Sequence, residues 1–134
     1  MGESTKRVLI VDDEEPIRRF AARVLGRAGY ETDVAADGAE ALGMMEERGP
    51  FDLVIADFVM PGMWGDELAR RLRNKEPNLK VLYVTAYGDR LCQEVVKGAL
   101  WQNEAYLDKP VTIDGLLQAV SQILFGHTQG PRFT

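Results

Sequence analysis

The chain has one cysteine, Cys92, and one histidine, His127, among its 134 residues. A single cysteine cannot form an internal disulfide, and the two residues together supply too few ligands for most zinc sites and too little imidazole for most histidine-dependent nucleophilic catalysis. No apolar run approaches the roughly 20 residues that cross a bilayer, and the opening Met-Gly-Glu-Ser-Thr-Lys-Arg leads into a strand-like segment rather than a secretory h-region. The expectation is a cytoplasmic protein with no membrane insertion. A basic surplus is also missing. Sixteen Lys and Arg stand against 21 Asp and Glu, a net charge of −5, which argues against direct nucleic-acid binding driven by phosphate neutralisation. Neither G-x-G-x-x-G nor G-x-x-x-x-G-K-S/T occurs, so the common nucleotide cradles are absent.

What is present is a repeated switch between short apolar runs and longer segments with helical periodicity. With 46% hydrophobic residues the chain fits one domain, expected over residues 1–125 and followed by a loose polar tail over 126–134. Val8 to Val11 is a continuous apolar run. Pro16 then opens a helix carrying Ile17, Phe20, Ala21, Val24 and Leu25, with Gly29 as its stop. A weaker strand, Thr32 to Ala35, precedes Asp37, the expected cap of a second helix. A third strand is expected from Phe51 to Ala56, a third helix around Leu68 and Leu72, and a fourth strand from Val81 to Val84. Arg70, Arg71, Arg73 and Lys75 read as a solvated, positively charged helix end. Leu91, Cys92, Val95 and Ala99 give one face of a fourth helix, Ala105 to Leu107 a fifth strand, and Thr112 the cap of a last helix. Strands alternating with helices in this way predict an α/β, doubly wound fold with a parallel sheet covered on both faces.

In such sheets ligands bind beyond the carboxyl ends of the strands. Asp12 and Asp13 follow strand one, Asp57 follows strand three, Thr85 ends strand four and Lys109 follows strand five, so all five are expected on one rim. Converging carboxylates repel one another unless a cation joins them. Oxygen ligands without nearby Cys or His select a hard ion, and Mg²⁺ suits a site with few protein ligands better than Ca²⁺, with Mn²⁺ able to substitute. An aspartate beside that ion can attack a phosphoryl group while Lys109 and the Thr85 hydroxyl reach its oxygens. Each residue has a simpler reading. Asp12 and Asp13 can cap the first helix, Asp57 can belong to a turn, and Lys109 and Thr85 can be ordinary surface and strand residues.

Taken in order, VLIVDDEEPIR, DLVIADFVMPGMWGDEL, VTAYG and YLDKP resemble the receiver domains of two-component response regulators over Lys6 to Leu124. VMPGMWGDELARRL is similar to receivers attached to hybrid histidine kinases. The resemblance implies a flavodoxin-like fold with five strands in the order 2-1-3-4-5 and five helices. It makes Asp57 the phosphoacceptor, places Mg²⁺ on Asp12, Asp13, Asp57 and the Phe58 backbone carbonyl, and gives Lys109 the phosphoryl group. It also makes Thr85 and Tyr106 a switch pair and implies a cis peptide before Pro110. The implied partners are a histidine kinase or histidine phosphotransfer domain and a downstream protein target. On this reading the chain catalyses only its own phosphorylation and dephosphorylation. A phosphatase with an aspartyl nucleophile is the competing enzyme, but it needs an acid two residues later, where Val59 stands. A degenerate binding module would lack Asp57 or Lys109, and both are here.

Overall fold

The computed structural model describes residues 5–85 and 103–126. Each expected apolar run within them becomes a strand: β1 (Arg7–Val11), β2 (Glu31–Ala35), β3 (Leu53–Asp57), β4 (Lys80–Thr85) and β5 (Glu104–Asp108). Between and after them lie α1 (Glu15–Arg27), α2 (Gly38–Arg48), α3 (Gly65–Lys75) and α4 (Ile113–Phe125). All strand pairings are parallel, in the order β2-β1-β3-β4-β5. The helix expected around Leu91 to Ala99, with Cys92, and the tail beyond Gly126 lie outside the described residues.

Continuous apolar strands are needed because successive side chains point to opposite faces and both faces are covered. Leu9, Val11, Val54 and Ala56 pack with Ala41 and Met45 of α2 and Leu68 and Leu72 of α3. Val8, Ile10, Leu53, Ile55, Leu82 and Val84 pack with Ala21 and Leu25 of α1 and Leu116, Val120 and Leu124 of α4. Fully burying each Leu, Ile, Val or Met of this set contributes about 1.5–3 kcal/mol, so this two-sided core holds the strand ends in place.

Local punctuation sets the helix ends. Asp37 caps α2 by accepting the Glu40 N–H at 2.8 Å, and the Glu40 carboxylate accepts the Ala36 N–H at 2.7 Å. Asp37→Ala is expected to cost about 1 kcal/mol, a fall of about 3–5 °C in Tm, measured by thermal unfolding. Thr112 caps α4 through the Gly115 N–H at 2.9 Å, and Gly126 closes that helix at φ 79°, in the left-handed region. The Lys109–Pro110 peptide is cis as expected, and so is Gly49–Pro50, which the sequence did not mark.

Two expectations change. β3 starts later than Phe51 and includes Asp57, whose backbone pairs with Val84, so this aspartate ends the strand rather than following it. Arg73 is not part of a solvated helix end. It donates to the Leu79 carbonyl at 3.1 and 2.9 Å and to Glu104, whose side chain is buried. Tyr83 completes this set with its hydroxyl 3.3 Å from the same carboxylate. Its burial, and then the Glu104 charge, raise the phenol pKa.

Candidate functional site

Parallel pairing brings the carboxyl ends of β1, β3, β4 and β5 to one rim, where the polypeptide leaves the sheet. Asp12 is 2% exposed and Asp57 8%, while Asp13 is exposed. One carboxylate oxygen from each lies within 4.8 Å of the others, the spacing of a shared cation. Lys109 crosses from beyond β5, with its Nζ 3.2 Å from Asp57 Oδ2 and 3.4 Å from Asp12 Oδ2. Asp57 Oδ1 accepts the Val59 N–H at 3.3 Å.

The simpler capping role of Asp12 coexists with this cluster. Its Oδ1 accepts the Glu14 N–H at 2.9 Å and its carbonyl accepts from Arg18 at 2.6 Å, so Asp12 fixes the start of α1 while its other oxygen faces Lys109. The N-cap itself is Glu14.

Burial raises the pKa of both Asp12 and Asp57. For Asp57 the Lys109 ammonium pulls the other way and the Asp12 charge adds to the rise. Burial pulls the Lys109 pKa down, but Asp57 and Asp12 more than offset it and the net direction is upward. One ammonium thus serves an excess of carboxylates. An oxygen-only, negatively charged pocket of this kind fits a hard divalent cation held by Asp12, Asp13 and Asp57.

The Phe58 carbonyl, expected as the backbone ligand, accepts the Gly65 N–H at 2.7 Å and ties the end of β3 to the start of α3. Thr85 ends β4 opposite Asp108 of β5. Tyr106 is half-buried against Phe58, Ala69, Val81 and Tyr83. Sequence reasoning missed Glu14, whose Oε2 is 3.7 Å from Lys109 Nζ, although it stands next to the aspartate pair. It also missed a groove of about 620 Å³ between α1 and α4, floored by Phe20, Val24, Ile113 and Leu117 and edged by Arg19, Arg23 and Arg27. The arginines recur at four-residue spacing, a helical signal visible in the sequence.

Residues 8–121 match the response regulator receiver domain family. Sporulation initiation phosphotransferase F of Bacillus subtilis (strain 168) is 36% identical over 121 residues, covering 89% of this chain and 94% of that protein. The sensor kinase CckA of Brucella abortus (strain 2308) is 37% identical over 119 residues, which are 87% of this chain but only 12% of the kinase. The chemotaxis protein CheY4 of Vibrio cholerae superposes with a TM-score of 0.79 at 31% identity, covering 90% of this chain and all of that one. No described helix is long and apolar enough to cross a membrane.

Proposed function

The chain belongs to the response regulator receiver domain family of two-component signalling, and from that premise we propose that residues 1–125 act as a phosphorylation-dependent switch that takes a phosphoryl group from a partner phosphohistidine onto Asp57. The observation that carries this reading is Lys109 lying between Asp57 and Asp12 on the rim, at 3.2 and 3.4 Å. An Asp57 oxygen attacks phosphorus, the bond to the partner imidazole breaks, and the ring nitrogen leaves. Lys109 is placed to hold a phosphoryl oxygen as negative charge builds on it. Asp12, Asp13 and Asp57 would hold Mg²⁺, or Mn²⁺ in its place, which neutralises phosphoryl oxygens when bound. The Phe58 carbonyl keeps one lone pair for that ion. Because its other lone pair is taken by Gly65, the exposed Val59, whose N–H rests on Asp57, offers the alternative backbone carbonyl.

Thr85 and Tyr106 are the proposed relay. A phosphoryl group adds about −1.5 to −2 charge, drawing the Thr85 hydroxyl toward Asp57 and letting Tyr106 repack, which alters the surface offered to a downstream protein. The names of two relatives, a sensor kinase and a phosphotransferase, support a histidine kinase or phosphotransfer domain as the donor. The groove between α1 and α4 supports it further, since its apolar floor and arginine edge suit an amphipathic helix with an acidic flank. The absence of an acid at Val59 favours this reading over an aspartyl phosphatase with its own substrate.

Incubation with acetyl phosphate and Mg²⁺, followed by intact mass, is expected to show one added phosphoryl group, none with EDTA, and recovery with Mn²⁺. A chain that stays unmodified with Mg²⁺ present would overturn the reading.

A further inference from the structure

Glu14 is an N-cap residue that does not cap. Its carboxylate makes no hydrogen bond to the first turn of α1, while its backbone is held firmly, the N–H on Asp12 Oδ1 at 2.9 Å and the carbonyl accepting from Ile17 and Arg18 at 3.1 and 3.2 Å. The side chain is instead carried to the rim, where Oε2 stands 3.7 Å from Lys109 Nζ and 60% of the side chain is exposed. Beside this pair opens an apolar groove of about 410 Å³ lined by Pro16, Phe20, Pro110 and Val111, with Glu14 and Lys109 at its edge.

We infer that Glu14 determines donor specificity: it occupies Lys109 before phosphorylation and disfavours small anionic phosphoryl donors. The inference rests on Asp57 being the phosphoacceptor. A donor must place a phosphoryl oxygen on the ammonium that Glu14 already faces, and a solvent-exposed carboxylate at that edge repels a dianion more than a monoanion. A docked protein donor meets a different balance, because the arginine edge of the α1–α4 groove attracts an acidic partner and holds its phosphohistidine at the rim. With acetyl phosphate, the bond from phosphorus to the acetyl oxygen breaks, a bond to an Asp57 oxygen forms and acetate leaves. With phosphoramidate, the phosphorus–nitrogen bond breaks and ammonia leaves. Glu14 gains and loses no bond in either case, so it is a positioning residue.

The test compares phosphorylation rates of the wild type, Glu14→Gln and Glu14→Asp at saturating Mg²⁺, with acetyl phosphate and with the less negative phosphoramidate. Glu14→Gln is expected to react about five-fold faster with acetyl phosphate, mainly through a lower half-saturating donor concentration, and to gain less with phosphoramidate. The gain should shrink in 1 M KCl, where the screening length is about 3 Å. Glu14→Asp, with the charge kept but the reach to Lys109 shortened, should fall between the two. Equal or slower rates in Glu14→Gln, or a gain that is the same for both donors and insensitive to salt, would overturn the inference. A wild type that takes up no phosphoryl group would instead sink the assignment of Asp57.

Discussion

Asp57→Asn is expected to abolish uptake of a phosphoryl group and, without divalent cations, to make the protein more stable. The first effect follows because an amide is a far weaker nucleophile than the Asp57 carboxylate, which belongs to the cation cluster and lies 3.2 Å from Lys109 Nζ. The second follows from burial. Asp57 is 8% exposed and its folded pKa is raised, by desolvation first and by the Asp12 charge as well, against the partial relief of Lys109. A carboxylate with a raised folded pKa favours folding most below its unfolded value, near 3.8, and that contribution is lost as pH rises through the folded value. At pH 7 its ionised form therefore burdens the folded state. Removing the charge is expected to return about 1–2 kcal/mol, or about 4–8 °C in Tm. Asp12 shifts in the same direction, so wild-type stability without cations should rise as pH is lowered from 7 toward the folded pKa values of the two aspartates, less steeply in Asp57→Asn. Mg²⁺ at ten times its Kd should add about 1.4 kcal/mol to the wild type and much less to the variant. Intact mass and thermal unfolding with and without Mg²⁺ check these outcomes. Labelling that persists, or a lower Tm for the cation-free variant, would contradict them.

Gly65→Ala is expected to lose about 2–3 kcal/mol, a fall of about 8–12 °C in Tm, and to slow phosphorylation as well. Gly65 is the first residue of α3, and its N–H donates to the Phe58 carbonyl at 2.7 Å. A Cβ there would lie 2.8 Å from the Asp57 carbonyl oxygen and 3.1 Å from Phe58 Cα. Both are backbone atoms and cannot rotate away, so α3 or the end of β3 must move. Alanine is the better helix former by up to about 1 kcal/mol, which works against the loss but is smaller than the overlap. Because the displaced backbone is that of Asp57, the defect should reach the site as well as the fold. Circular dichroism melts and acetyl phosphate labelling measure the two effects. A variant as stable as the wild type would refute so close an approach of α3 to β3.

The elements were legible because they rest on interactions a few residues long. The apolar run Val8 to Val11, the Asp37 cap reaching Glu40 and the Thr112 cap reaching Gly115 are all written within one turn or one strand. The rim was legible for a related reason, since parallel strands must end together and Asp12, Asp57, Thr85 and Lys109 each stand at such an end. Tertiary structure alone decided which groups touch. It set Glu14 rather than solvent against Lys109, turned the Phe58 carbonyl to Gly65, and drew Arg73 from a presumed solvated helix end onto buried Glu104 and Tyr83. It also set the raised pKa values of Asp12 and Asp57, because desolvation depends on what distant segments pack overhead. Hydrogen bonds along the chain are fixed by spacing, whereas contacts between segments, and the loss of water around them, exist only once the sheet has brought those segments together.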